Sequence, residues 1–170
     1  MNEVTTTTAP SFDRVELMRW LAYDSTTGIF AWRIAPVPWL KAGHRAGSMN
    51  SKGYTVIRCM GELHAAHRLA WLFVHGQWPK GQIDHIDGRR DANAITNLRD
   101  VSRSVNQQNL KRARKDNRAG LLGVKIARKN FEARINVQGR YVHLGTFETA
   151  AAAHAAYLAA KRQLHQGCTL

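Results

Sequence analysis

Gln82-Ile83-Asp84-His85-Ile86-Asp87-Gly88 sets a carboxylate and an imidazole side by side in a short apolar run that closes on a turn signal. Neighbouring residues of an extended strand point to opposite faces, so Asp84 can grip a metal while the His85 ring reaches another side of the same phosphate. A hard cation such as Mg²⁺ prefers oxygen ligands and keeps several waters. One carboxylate plus one side-chain amide oxygen can therefore suffice, with a substrate phosphate completing the shell. Asn106 can supply that amide, and Asn109, three residues on, shares its helical face, so spacing alone does not choose between them. Histidine, with an unperturbed pKa near ~6.5, is partly neutral at physiological pH and able to take a proton from an attacking water. His85 is the candidate general base.

Charge points to a polyanionic partner. Of 170 residues, 25 are Lys or Arg against 12 Asp or Glu, and the excess is +4 over residues 1–110 but +9 over residues 111–170. Neutralising phosphates releases condensed counterions and supplies most of non-specific affinity. The positive charge comes in blocks, Lys111-Arg112-Ala113-Arg114-Lys115 and Lys125-Ile126-Ala127-Arg128-Lys129, which favours nucleic acid over a merely soluble basic surface. Two cysteines, Cys59 and Cys168, are too few for a disulfide framework and lack the paired spacing of a zinc site. No apolar run reaches the roughly 18 residues of a membrane span, and residues 1–8 lack the pattern of a signal peptide. The expectation is a protein of the cytoplasm of a bacterial or phage-infected cell, without a membrane partner.

Working outward from the central run, residues 1–11 are polar and Thr-rich and are expected to be disordered. Asp13 caps a short helix with Val15, Leu17, Met18 and Leu21 as its apolar face. Strands are predicted over Ile29 to Ile34, Tyr54 to Cys59 and Glu62 to Ala65, the last two turning at Met60-Gly61, before a helix from His67 to His75 that Gly76 stops. Ile83 to Ile86 is a brief strand, and Ser102 caps a helix from Arg103 to Lys111. Residues 111–119 form a basic linker. Gly123 to Ile126, Phe131 to Val137 and Arg140 to Leu144 then read as three strands followed by a helix from Ala150 to Leu164. Alanines let that helix lie close against one face of the sheet, leaving Lys125, Arg128, Arg134, Asn136, Gln138 and Arg140 for the other.

These residues resemble two known modules. The run from Gln82 to Gly88, then Asn93, Asn97-Leu98-Arg99 and Asn106-Gln107-Gln108-Asn109, looks like the HNH nuclease family of phage and intron-encoded homing endonucleases. Tyr23-Asp24, Thr27-Gly28, Trp32 and His67-Arg68-Leu69-Ala70 are similar to the N-terminal part of such phage proteins. Gly123-Val124, Leu144-Gly145-Thr146-Phe147 and the Ala-rich helix through Tyr157 look like an AP2-type DNA-binding domain.

The resemblance implies an α+β chain: an HNH (ββα-metal) nuclease domain over 12–110, the linker 111–119, and an AP2-like domain of three antiparallel strands plus a helix over 120–166. It implies a metal-dependent DNA endonuclease with His85 as general base and Asn97 as the residue that holds the metal-binding loop in shape. One Mg²⁺ or Mn²⁺ ion would be held by Asp84 and Asn106. The third motif position, often histidine, falls nine residues after Asn97 and is here Asn106, which disfavours a His-rich zinc site. The implied partner is double-stranded DNA, contacted by Arg112, Arg114, Lys125, Arg128, Lys129, Arg134, Asn136, Gln138 and Arg140, and the oligomeric expectation leans to a monomer.

Other readings stand beside these. A DNA-binding regulator with a decayed nuclease site is the main alternative, and an RNA-binding protein ranks last because the sheet offers mainly Phe131 and Tyr141 for stacking. His67 either faces the phosphate or is a structural histidine. Arg99 either clamps a phosphate or bridges Asp100. Trp20, Trp32, Trp71 and Trp78 fall within or beside apolar segments and read as core.

Overall fold

The structure is a computed structural model and describes residues 12–165 and 167–169; the disorder expected over residues 1–11 lies outside them. The chain divides into two compact units, Met1–Val101 and Ser102–Leu170. Both mix helices with small antiparallel sheets.

In the first unit, Asp13 Oδ1 accepts the Glu16 amide at 2.9 Å and starts helix α1, Arg14–Trp20. Leu17 and Leu21 are fully buried, but Val15 is 75 % exposed, because the helix is only two turns long and packs along one narrow stripe. Strands β1 (Leu21–Asp24) and β2 (Ile29–Trp32) form a hairpin, and β3 (Ser48–Met49), β4 (Thr55–Cys59) and β5 (Glu62–Ala65) form a three-stranded sheet. The β4–β5 turn is the two-residue type anticipated, with positive φ at Met60 and Gly61. Helix α2, Ala66–His75, ends where Gly76 takes a left-handed conformation and returns its N–H to Leu72 O. Leu69, Ala70 and Leu72 of α2 pack with Leu17, Leu21, Phe30, Trp32 and Ile57 in one core; Trp20, Trp71 and Trp78 lie against it.

After α2, β6 (Gln82–His85) pairs antiparallel with β7 (Leu98–Val101), in a register that sets Asp84 opposite Arg99 and His85 opposite Leu98. A 3₁₀ turn, Ile95–Asn97, leads into β7. The first hairpin supports this segment from below: Ile95 N donates to Ser25 O at 3.1 Å and Tyr23 Oη to Asn93 O at 2.7 Å.

The second unit opens with α3, Arg103–Gln108, capped by Ser102 as expected but one turn shorter than predicted. Strands β8 (Val124–Ala127), β9 (Asn130–Val137) and β10 (Arg140–Phe147) form an antiparallel sheet in the order β10-β9-β8, and helix α4 (Ala150–Leu164) closes it. Val124, Ala133 and Ala153 are the buried centre of the contact, where small side chains let helix and sheet approach closely. Lys161 of α4 is buried, and its Nζ donates to Leu110 O at 2.6 Å. Gly167 N bonds Gln108 Oε1 at 3.0 Å and Thr169 Oγ1 donates to Asn109 Oδ1, so the end of α3 is tied into this unit. The nuclease boundary expected at residue 110 thus falls one helix beyond the division at residues 101 and 102.

Gly28 decides how closely hairpin and central loop can meet. Its φ is +75°, and a Cβ there would lie 2.2 Å from both Ala94 N and Asn93 C. Gly28→Ala is therefore expected to destabilise the chain by about 2–4 kcal/mol, left-handed strain plus backbone displacement, read as a lower denaturant midpoint in equilibrium unfolding.

Candidate active site

Asp84 and His85 are both 5 % exposed, an uncommon depth for two ionisable neighbours. Each is met by a designated partner. Arg99 Nε and Nη2 both reach Asp84 Oδ2, at 2.9 and 2.7 Å, across the β6–β7 ladder. Arg99 therefore pairs with Asp84. The Asp100 carboxylate instead accepts the amides of Lys80 and Gly81, each at 2.7 Å, and fixes the entry to β6.

His85 Nε2 lies 3.1 Å from Asn93 Oδ1. An amide oxygen only accepts, so the imidazole proton sits on Nε2 and the basic lone pair on Nδ1. Asn93 is itself held. It is 2 % exposed, its Nδ2 donates to Asp91 O at 3.2 Å, and its carbonyl receives the Tyr23 hydroxyl. Nucleophile-activating sites share this logic, a base oriented by a third group.

Asn97 braces the loop between the strands. Its Oδ1 accepts the Asp87 amide at 3.0 Å, while its Nδ2 donates to Asp87 Oδ1 at 3.0 Å and to Ala92 O at 2.8 Å. Partial burial would raise the Asp87 carboxyl, but the Arg89 amide and the Asn97 side chain outweigh it and hold Asp87 below the usual carboxylate range.

His67 and Tyr54 wall the other side of His85. The His67 ring stands edge-on to His85 at 5.2 Å, and Tyr54 lies 5.4 Å from His67 and 6.1 Å from His85. Burial, then the neighbouring His85 and Arg68, pushes His67 down to about 3, so it stays neutral. Its buried Nδ1 has no hydrogen-bond partner among the described residues.

Asn106 lies on α3 and Asn109 is its C-cap, both in the second unit. Asn109 is 6 % exposed and its amide oxygen accepts Thr169, whereas Asn106 is half-buried. Among the described residues no three His, Cys, Asp or Glu side chains converge as a cation cage. The Asp84 carboxylate is a hard oxygen donor of the kind that suits a divalent ion keeping most of its waters, and Arg99 orients it through two hydrogen bonds.

In the second unit, strand register places Lys125, Arg134 and Asn136 on the sheet face away from Val124, Ala133 and Ile135, together with Tyr141 and His143. Arg140 does not join them. It pairs with Val137 and so shares the parity of the helix-facing residues, while Arg128, Lys129 and Gln138 lie in the two hairpin turns. Arg134 stacks over Tyr141 at 4.9 Å. Arg112, Arg114 and Arg118 line, with Lys125 and Arg134, an open groove of about 760 Å³, so the basic segment forms a wall of the groove.

The site thus sets a buried imidazole oriented by an amide beside a buried carboxylate held by a guanidinium. Residues 64–108 match the HNH endonuclease family, which supports an HNH nuclease and points to DNA as its substrate and a divalent ion as its cofactor. The matched segment contains Asp84, His85, Asn93, Asn97 and Asn106. It does not reach the three-stranded module, and nothing supports the AP2 resemblance. No curated protein and no solved structure matches the chain. No helix among the described residues is long and apolar enough to cross a membrane.

The roles of Asn93, Arg99 and Tyr54 were not foreseen from sequence. An Arg facing Asp84 across a two-stranded ladder was readable only if residues 98–101 were recognised as a strand.

Because His67 is neutral when folded and protonates freely when unfolded, the unfolded chain holds the extra proton between pH about 3 and about 6.5. Stability should fall as pH drops through that window. His67→Phe, which keeps a flat ring and removes the unpaired nitrogen, is expected to lessen that acid slope by at most about 1.4 kcal/mol per pH unit, measured by chemical denaturation across pH.

Proposed function

We propose that the chain is a homing-type HNH endonuclease that hydrolyses double-stranded DNA with one Mg²⁺ or Mn²⁺ ion. The observation that carries this reading is the oriented base: His85, its Nε2 fixed by buried Asn93, one residue from a buried carboxylate in the segment that matches the family.

In this mechanism His85 Nδ1 takes the proton of a water as its oxygen attacks phosphorus. Asn93 holds the ring through that step and spreads the positive charge the imidazole acquires. Asn97 keeps the loop over residues 86–92 in shape, and Arg99 keeps the Asp84 carboxylate oriented. Asp84 and Asn106 are the proposed ion ligands; Asn109 is disfavoured because its amide oxygen already serves Thr169. When bound, such an ion would supply Lewis-acid stabilisation of charge on the phosphate and on the departing 3′ oxygen. The second unit holds the duplex through Lys125, Arg134 and Asn136 on the sheet, the turn residues Arg128, Lys129 and Gln138, Arg140, and the arginines Arg112 and Arg114. The AP2-type likeness of that module is part of the proposal.

Supercoiled plasmid incubated with the protein and Mg²⁺ or Mn²⁺ is expected to be nicked or linearised, and His85→Ala to lower the rate by about 10²–10⁴-fold while leaving DNA affinity intact. Asn106→Ala should lose cleavage, whereas Asn109→Ala should retain it. DNA bound but left uncut by the wild type in either cation would favour a binding regulator instead.

A further inference from the structure

Arg90 lies in the loop that Asn97 braces, yet it reaches back 38 residues in sequence, where its Nη1 donates to Lys52 O at 2.8 Å. Its guanidinium stands over the Tyr54 ring, 5.1 Å from the centroid. The turn it meets is preformed: Asn50 Oδ1 accepts the amides of Lys52 and Tyr54, each at 3.0 Å, and Asn50 N bonds Tyr54 O at 2.9 Å. Neighbouring Arg89 is paired with Asp91 at 3.6 Å, but no carboxylate lies within salt-bridge distance of Arg90 among the described residues. Arg90 is nevertheless exposed. An arginine gives up rotamer freedom when its guanidinium is fixed. An immobilised, solvent-facing guanidinium without an anion is arranged to receive one.

Position identifies that anion. Tyr54 neighbours both groups, its ring centroid 5.1 Å from the Arg90 guanidinium carbon and 6.1 Å from the His85 ring. Charges on one DNA strand recur about every 3.4 Å along the helix axis, so a cation one aromatic ring from His85 meets a phosphate beside the one under attack. We propose that Arg90, seated on Tyr54 and Lys52 O, is a phosphate-binding residue that grips the DNA backbone next to the scissile phosphate. This rests on the nuclease reading for the word scissile, and on geometry alone for the phosphate.

The test separates the two. Binding of a mixed-sequence DNA duplex is measured against salt concentration for full-length His85→Ala without divalent ion, alone and combined with Arg90→Met or Arg90→Lys. Loss of one phosphate contact should reduce the slope of log affinity against log salt by about one for Arg90→Met, and Arg90→Lys should keep it. In the otherwise wild-type chain, Arg90→Met should raise KM for cleavage roughly tenfold while kcat stays within about threefold, the signature of a contact made equally to substrate and transition state. An unchanged slope overturns the proposal, and so does a lowered melting temperature with an unchanged slope, which would assign Arg90 to loop stability alone. Absence of cleavage by the wild type with a reduced slope in Arg90→Met would sink the nuclease reading and leave Arg90 as a phosphate contact.

Discussion

The contact between Arg99 and Asp84 is the interaction on which the rest of the site depends. A carboxylate at 5 % exposure has lost most of its water, and a polar group buried without a hydrogen-bond partner is costly. Two guanidinium donors on Oδ2 replace that water, and removing such a partner from a buried pair costs about 3–5 kcal/mol. The pair also fixes register, since a slip of one residue would turn Arg99 to the opposite face of the ladder and leave the carboxylate uncompensated. Register then seats His85 opposite Leu98 and brings Asn97 to the base of the loop it braces.

Around that ladder the polar groups form a chain of supports. Tyr23 holds the Asn93 carbonyl, Asn93 holds His85, and Gly28 allows the first hairpin to approach the loop closely enough for both. A hairpin about 70 residues away in sequence is thus part of the apparatus that orients His85. His67 adds to it differently. It closes the site with a ring that stays uncharged beside His85, so it adds no second cation against that imidazole.

Much of this was legible in sequence where local chemistry dictates conformation. Asp13, Gly76, Ser102 and Met60-Gly61 marked caps and a turn because few residues tolerate those backbone states, and the second sheet and its helix followed from alternation and alanine content. What escaped was non-local. Leu98–Val101 is four residues with two charges, so its strand character comes from pairing with β6 and not from pattern, and the partnership of Arg99 and Asp84 was hidden with it. Val15 is apolar and exposed because an isolated short helix has one buried stripe. Arg140 fell on the wrong face because parity is counted from the pairing with Val137 and not from charge.

The division of the chain changes what a nuclease domain means here. The family match runs to residue 108, but α3, which carries Asn106, belongs to the second unit. Its last turn is held there by Lys161 on Leu110 O, by the Gly167 amide on Gln108 and by Thr169 on Asn109. A six-residue helix has little stability of its own, since nucleation is costly and few bonds follow. Its order must come from those long-range contacts. Burial disfavours charge on Lys161 and pulls its pKa down, and the Nζ donates to Leu110 O, a polar clamp that fixes where the helix ends. The residue proposed as the second ion ligand is therefore built on the module proposed to grip the duplex, and the two tasks share one folding unit.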